Sequence, residues 1–328
     1  MKNKITMLTM AGMLALPATA QAQEYLSFSG TATLGYGFGD VSNIGGTSGD
    51  LDAWSLDVET DIGIGDTWNI GVDLGYADGN ADFTPLGPNI GADGFEFSLE
   101  PSYRLQNGAY VGVYYGFADV SVSGIVLPFV GTGFDADAYG IFGGYEGQRL
   151  WVEGFAGRSD VSGAFPFKTA GDDYGVAASY QFGSRTEVFG SLLNSNLTLG
   201  GASVNLTAIS AGAEYDFTDS LSVYGALSNL RGDLPFAAPD ISALGGTVGV
   251  AYDFKNSSVP VTLNAEYSYT EIDQNGLIGP PGLDPTVDRF SIGVTIALNG
   301  GSGRILNSNT NVARGEYRSV LEAIGNLY

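Results

Sequence analysis

Residues 26–38 read LSFSGTATLGYGF, and every even position among them carries Leu, Phe, Gly, Ala or Tyr. The odd positions carry only Ser, Thr or Gly, so the sequence alternates with a period of two residues. This alternation is typical of a β-strand that has one apolar face and one polar face. It recurs in residues 54–64 and 68–76, where Ser, Asp, Glu, Asn and Gly occupy the second face. Strands that cross a bilayer at a tilt contain about 9–11 residues, and these segments are long enough to do so.

Segments with this pattern, including the three above, occur along the whole chain. They lie near residues 25–38, 52–64, 68–78, 95–105, 109–119, 136–146, 150–158, 173–182, 185–194, 205–217, 221–229, 243–254, 260–271 and 288–298. The connections between successive segments alternate between short and long. The short ones are turns rich in Gly, Asn and Asp, such as 65–67 and 106–108. The long ones include 39–51, 79–94 and 120–135.

Short turns at one end and long loops at the other are typical of membrane-spanning barrels. The sequence therefore predicts an all-β fold, a transmembrane antiparallel up-and-down β-barrel of about 14 strands. Residues 150–158 and 195–208 alternate least clearly, so a count of about 12 to 16 strands stays open.

Aromatic residues on the apolar face cluster near the two ends of the expected strands. One cluster comprises Phe28, Trp68, Tyr103, Tyr145, Tyr180, Phe182, Tyr215, Phe217, Tyr252 and Phe254. The other includes Phe38, Trp54, Tyr76, Phe95, Tyr115, Phe117, Tyr139, Tyr174, Tyr269 and Phe290. Two aromatic girdles around an apolar belt mark the two membrane–water interfaces of a barrel. We therefore expect the outside of this barrel to face lipid.

The first 22 residues have the features of a secretory signal peptide. Lys2 and Lys4 precede an apolar run, and Ala20-Gln21-Ala22 offers a cleavage site of small residues. The run is shorter than the roughly 20 apolar residues that a membrane-spanning helix needs. The expected organisation is a signal peptide at 1–22, a barrel at 23–299 and a periplasmic tail at 300–328.

Composition excludes several classes of function. The formal net charge is −23, whereas a nucleic-acid-binding face needs clustered Lys and Arg. The chain contains no Cys and no His, which removes disulfides, thiol catalysis and a Ser-His nucleophile pair. We expect a protein that is not an enzyme and that carries no cofactor and no metal ion.

Strands that enter a short turn often end in two bulky outward residues around one inward residue, as in Tyr180-Gln181-Phe182 and Tyr215-Asp216-Phe217. With the turn that follows, residues 212–221 (GAEYDFTDSL) resemble Gram-negative outer-membrane β-barrels of the porin-like kind. Residues 291–298 (SIGVTIAL) are similar to the last-strand assembly signal of that family. Porins usually end at that strand, whereas this chain continues to Tyr328.

The resemblance implies export through the periplasm to the Gram-negative cell outer membrane. It implies contact with outer-membrane lipid and lipopolysaccharide, and recognition by the barrel-assembly machinery. Because porins of this kind are often trimers, it also implies a homotrimer.

Charged residues on the inward face carry the expected function. The expected pore-lining residues are Asp57, Glu59, Asp61, Asp73, Glu96, Glu100 and Arg104. Rings of Asp and Glu favour cations, and small residues at many other inward positions leave space for water. We expect a channel for passive diffusion of small hydrophilic solutes and cations, with a preference for cations. The alternative is a closed structural or surface-interaction barrel, with Tyr side chains such as Tyr110, Tyr114 and Tyr224 filling its interior.

Two segments are candidates for narrowing such a pore. The loop at 120–135 contains the apolar run IVLPFV, which favours folding into the lumen. In the tail, Tyr317, Val320, Leu321 and Ile324 recur at helical spacing. Three conformations of the tail stay open: an unstructured periplasmic extension, a short helix docked under or into the acidic lumen, and an extra strand pair.

Overall fold

The computed structural model describes residues 25–44, 47–82, 89–124, 133–163, 169–199, 202–233, 241–254, 260–273, 284–299 and 309–320. The expected signal peptide lies outside the described residues, and so does the apolar run of the loop at 120–135. The described strands are β1 (Leu26–Ile44), β2 (Thr47–Ile64), β3 (Trp68–Asp82), β4 (Ile90–Arg104), β5 (Ala109–Ser123), β6 (Gly133–Glu146), β7 (Leu150–Ser162), β8 (Thr169–Phe182), β9 (Thr186–Leu199), β10 (Ala202–Asp216), β11 (Leu221–Asp233), β12 (Ile241–Phe254), β13 (Val261–Asp273) and β14 (Thr286–Leu298).

The strands form a closed barrel in which each strand pairs antiparallel with its neighbours in the chain. The last strand, β14, closes the barrel by pairing with β1 from Gly30 opposite Leu298 to Ser42 opposite Thr286. Closure pairs both edges of every described strand. A membrane requires this, because lipid offers no hydrogen-bond partner to the backbone. The predicted fold class, an antiparallel up-and-down β-barrel of 14 strands, is confirmed.

Several runs predicted to be long loops are largely strand. β1 and β2 continue to Ile44 and from Thr47, so most of the predicted loop at 39–51 belongs to this hairpin. Residues 195–199 and 202–204, part of a stretch in which the alternation is least clear, likewise extend β9 and β10. Backbone pairing needs no apolar face, and pairs such as Asp40 opposite Asp50 therefore continue the ladder beyond the alternating segment. The prediction of loop boundaries from loss of alternation was wrong for this reason.

The outward face carries the predicted aromatic girdles. At one end of the strands, Trp68 lies 5.2 Å from Tyr103 between ring centres, and Tyr215 lies 5.0 Å from Phe217. At the other end, Trp54 contacts Tyr76 at 5.1 Å and Phe38 contacts Phe290 at 5.4 Å. Leu, Ile and Val side chains that are exposed on the outer surface lie between the two groups. This is the surface expected of a barrel surrounded by lipid.

The inner face differs from one side of the barrel to the other. Inward side chains of β2–β4 keep part of their surface exposed, whereas most inward side chains of β8–β14 are buried. A short helix, α1 (Asn309–Arg314), lies inside the barrel against β8–β12. The residues after it to Val320 also lie inside the barrel, where Arg318 reaches β4 and β7. In the described part of the chain, no helix has the length and apolar character needed to cross a bilayer.

A closed barrel should resist dissociation by SDS until it is heated. We expect unboiled protein to migrate differently from boiled protein in SDS gels, and its circular dichroism to be dominated by β-structure. Identical migration of both samples together with a helical spectrum would contradict the fold.

Candidate functional site

The seven predicted pore-lining residues occupy inward positions on β2, β3 and β4, because each alternates with outward apolar or aromatic neighbours. Glu59 lies directly opposite Asp73 across the β2–β3 pair. Asp73 accepts a hydrogen bond of 2.7 Å from Ser98, and Asp61 accepts one of 2.9 Å from Asn69. Their side chains are partly exposed, so these strands present an acidic wall to the lumen. We define the acidic wall as Asp57, Glu59, Asp61, Asp73, Glu96 and Glu100.

Arg104, the one predicted cation of the lining, lies apart from the acidic wall at the end of β4 that leads into a short turn. It forms an ion pair of 2.5 Å with Glu146 of β6, and both side chains are about half exposed. Water screens such a pair well, so it contributes little stability. It places one positive charge at the mouth of the lumen.

Five inward glycines of β5–β12 do not widen the lumen, because aromatic rings of the neighbouring strand cover them. In five cross-strand pairs an inward ring lies directly opposite an inward glycine: Phe142 with Gly112, Tyr114 with Gly140, Phe155 with Gly175, Phe189 with Gly212 and Tyr224 with Gly249. A Cβ atom on Gly112 or Gly212 would come within 2.4 Å of the ring opposite. The prediction that small inward residues leave water-filled space is therefore wrong at these five glycines, where a ring occupies the space beside the glycine.

The tail enters the lumen through a helix that ends sharply at Gly315. The amide of Gly315 donates to the Val312 carbonyl at 3.1 Å, and that of Glu316 donates to the Asn311 carbonyl at 3.2 Å. These two bonds and the φ of +79° at Gly315 form a Schellman C-cap. A Cβ at Gly315 would lie 2.1 Å from the Cβ of Ala177 on β8, so only glycine fits both the turn and the wall.

β9 is the platform on which the tail rests. Ser191 Oγ donates a hydrogen bond to the Val312 carbonyl, and Ser195 Oγ accepts one of 3.1 Å from the Val320 amide. Leu193, between these two serines on the same face, packs against Val312 and Val320. Side chains and main chain of the tail are thus both fixed along one strand.

Apolar contacts between tail and wall are extensive. One cluster comprises Leu193, Ala208, Val312, Tyr317 and Val320, with Phe155, Leu206 and Leu230 packed around it. A second joins Ala313 to Phe189 and Ala226. Val312 and Val320 are at most 1% exposed. Burial of one such side chain stabilises by about 1.5–3 kcal/mol, so the tail has a substantial apolar anchor.

Arg318 binds two acids from opposite sides of its guanidinium group. Its Nε and Nη2 donate to the two carboxylate oxygens of Glu100 at 2.9 and 2.7 Å, and Nη1 donates to Glu153. The other oxygen of Glu153 accepts a hydrogen bond of 2.9 Å from Tyr110. Although burial lowers the pKa of Arg318, Glu100 and Glu153 outweigh this effect and raise it. The guanidinium stays charged and is fully engaged by the wall.

Three aromatic rings surround the same guanidinium. Its central carbon lies 4.9 Å from the ring centre of Phe142, 5.6 Å from Phe155 and 5.7 Å from Tyr114. These distances are within the range of cation–π attraction. We refer to Glu100, Tyr114, Phe142, Glu153 and Phe155 as the Arg318 pocket.

Arg314 has a second site of similar composition. It forms ion pairs with Glu187 of β9 at 3.0 Å and with Glu214 of β10 at 2.5 Å. Its guanidinium carbon lies 4.2 Å from the ring centre of Phe189. The two arginines of the tail therefore pair with four inward acids, and all six side chains are largely shielded from water.

Of the three tail conformations left open by the sequence, the described residues adopt the one inside the lumen. The helix covers Asn309–Arg314, whereas the apolar spacing predicted one over 317–324. Residues 317–319 are not helical, and 321–324 lie outside the described residues. The apolar residues do make contacts, but Tyr317 and Val320 reach the wall from an irregular segment.

The sequence contains a signal for this packing that the two-residue alternation alone does not reveal. On β9, Phe189, Leu193 and Leu197 face inward while Val188 and Leu192 face outward. A strand with apolar residues on both faces is buried on both faces. Glu153, Glu187 and Glu214 were likewise missed, because single acids on separate strands form no pattern in sequence.

No protein-family model matches the sequence, and no curated protein matches it. Solved structures do share the fold. A FadL homologue of Pseudomonas aeruginosa matches with a TM-score of 0.52 and 13% identity over 82% of this chain and 90% of that one. OmpT, an outer membrane protein of Vibrio cholerae in its trimer form, matches with a TM-score of 0.51 and 12% identity over 83% of this chain and 99% of that one.

An anion-selective porin from Comamonas acidovorans matches with a TM-score of 0.50 and 12% identity, again over 83% of this chain and 99% of the other. At such identities the likeness establishes the fold alone. The chain has the architecture of outer-membrane β-barrels, with its own tail in the lumen.

The substitution Gly315→Ala tests whether the tail is held as described. Its Cβ would collide with Ala177, and the left-handed backbone costs a non-glycine residue about 1–2 kcal/mol. We expect trypsin to cut after Arg314 and Arg318 faster in the folded variant than in the wild type, as measured by mass spectrometry of the released peptides.

Gly183→Ala is the matched control, because Gly183 also has a positive φ but a Cβ there would meet nothing within 4 Å. Equal cleavage of the wild type and Gly315→Ala after these two arginines would show that the tail is not fixed in the lumen.

Proposed function

We propose that this protein is a channel of the Gram-negative outer membrane for passive diffusion of small hydrophilic solutes, with a preference for cations and with a lumen narrowed by its own tail. The observation that carries the proposal is the partly exposed acidic wall on β2–β4, beside a tail whose helix packs against β8–β12. The proposed role is transport rather than catalysis.

Outer-membrane location is supported by the outside of the barrel and by the fold. The apolar outer belt with an aromatic girdle at each end fits a bilayer. Structures of outer-membrane proteins share the architecture. Export through the periplasm, insertion by the barrel-assembly machinery and a homotrimer stay predictions of the porin-like resemblance.

Cation preference is supported by charge rather than by fold, since a porin of the same fold is anion-selective. On the inward face, Glu59 of β2 lies directly opposite Asp73 of β3, and Asp57 and Asp61 lie two residues to either side of Glu59. Like charges gathered on one partly exposed face attract cations and repel anions. Arg314 and Arg318 do not cancel this field, because their two positive charges are shared among the four carboxylates of Glu187, Glu214, Glu100 and Glu153.

The alternative is a closed barrel that does not conduct, and the tail itself favours it. Two arginines, each bound by two acids, and two apolar clusters hold the tail in place. Removal of one partner from a buried ion pair destabilises by about 3–5 kcal/mol, so spontaneous release of the tail would be rare. The two functions differ in whether the lumen beside the tail conducts.

Release of the tail should increase conductance. In Arg314→Ala/Arg318→Ala, four acids lose their partners and the tail loses its polar anchors. We expect single-channel conductance in planar bilayers to rise by about twofold or more, because the water-filled cross-section widens. Arg158→Ala is the control, since Arg158 lies on the outer face of β7 and is half exposed. If wild type and the double variant are both non-conducting although inserted, the closed barrel is the correct reading.

Reversal of charge on the acidic wall should reverse selectivity. We expect Asp57→Lys/Glu59→Lys/Asp61→Lys to shift the reversal potential in a KCl gradient toward that of an anion-selective pore, because fixed positive charge then lines the path. The control is Asp78→Lys/Asp93→Lys/Asp119→Lys, which makes the same change in net charge on the outward face. An unchanged reversal potential in a conducting triple variant would mean that the acidic wall does not set selectivity.

A further inference from the structure

The Arg318 pocket belongs to the barrel, whereas its occupant comes from the tail. Glu100, Tyr114, Phe142 and the pair Glu153 and Phe155 lie on four consecutive strands, β4 to β7. Each ring has its own support: Phe142 lies over Gly112, Tyr114 over Gly140 and Phe155 over Gly175. Strand pairing therefore positions the rings and acids of this pocket.

The pocket has the chemistry of a guanidinium-binding site. A planar guanidinium matches the two oxygens of one carboxylate, and Glu100 makes this bidentate contact. A second carboxylate, Glu153, takes another N–H and is oriented by Tyr110 through its other oxygen. The three rings attract the delocalised charge of a planar guanidinium. A metal ion or a small inorganic cation has no such planar group and would fit this site less well.

The second site repeats the arrangement. Glu187, Glu214 and Phe189 hold the guanidinium of Arg314 with two carboxylates and one ring. Both sites lie on the inward face of the barrel. The same recognition chemistry thus occurs twice along the lumen.

We propose that the Arg318 pocket is a binding site for small organic cations that carry a guanidinium group, and that Arg318 is a competing ligand supplied by the chain itself. The inference rests on the proposed channel, since such a solute reaches the pocket through the lumen. A tethered group acts at an effective concentration on the order of millimolar, so a free solute competes with Arg318 only weakly in the wild type. Loss of Arg318 from the tail removes the competitor and leaves the pocket intact.

The test is binding of methylguanidinium chloride to full-length Arg318→Ala, measured by isothermal titration calorimetry in detergent. Methylguanidinium replaces the end of the missing side chain. We expect it to bind the variant at least about tenfold more tightly than the wild type, in line with loss of a tethered competitor. Arg158→Ala, which alters an arginine on the outer face, should match the wild type.

Two further measurements identify the site. Arg318→Ala/Glu153→Gln should lose the gain in affinity, because one of the two carboxylates is gone. Methylammonium chloride, which has no planar fork, should bind Arg318→Ala at least about tenfold more weakly than methylguanidinium. Gly315→Ala displaces the tail without altering the pocket, and it should bind methylguanidinium better than the wild type does. Different migration of unboiled and boiled samples shows that each variant is folded.

The proposal is overturned if folded Arg318→Ala and Gly315→Ala bind methylguanidinium no better than the wild type, or if methylammonium binds as well. Conductance of the same Arg318→Ala protein without any added probe reports on the channel alone. A conducting variant that does not bind methylguanidinium would overturn this inference and leave the proposed channel standing. Binding by a barrel that never conducts would leave the pocket standing and remove the channel.

Discussion

Backbone hydrogen bonding is the constraint from which the other features follow. Lipid offers no partner to an amide or a carbonyl, so a spanning sheet must satisfy every such group within itself. The chain meets this requirement by pairing β14 with β1, which leaves none of the described strands with a free edge. Closure fixes the pleat of every strand, and the pleat assigns alternate residues to lipid and to the lumen. Residues on the outer face must then suit lipid, and residues on the inner face must suit the lumen.

The inner face has two regions of different chemistry. On β2–β4 it carries the acidic wall, which stays partly exposed. From β5 to β12 it carries rings opposite glycines, together with leucines that need an apolar partner. Such a surface would be unfavourable against water, and the tail covers it with Val312, Ala313, Tyr317 and Val320. The apolar half of the lumen and the tail therefore depend on each other.

Charge complements this packing. A six-residue helix is marginal in water, and an unpaired acid inside the barrel would be costly. Arg314 and Arg318 anchor the helix and pair with inward acids, since each bridges two acids on different strands. The two arginine sites are also where the barrel presents carboxylates and rings to a planar cation. The same contacts that seat the tail thus define the ligand chemistry of the lumen.

The sequence by itself determined the antiparallel order, the aromatic girdles and the inward placement of residues such as Glu59 and Asp73, and it predicted about 14 strands with a count of about 12 to 16 left open. These features depend on a period of two and on turns, which are local and therefore visible along the chain. Only the tertiary structure decided how far the strands extend past the alternating segments and what fills the lumen. Alternation states which face a side chain occupies, but not what lies across from it. Arg318 meets Glu100 over a separation of 218 residues and Arg314 meets Glu187 over 127, contacts that exist only after the barrel has closed around the tail.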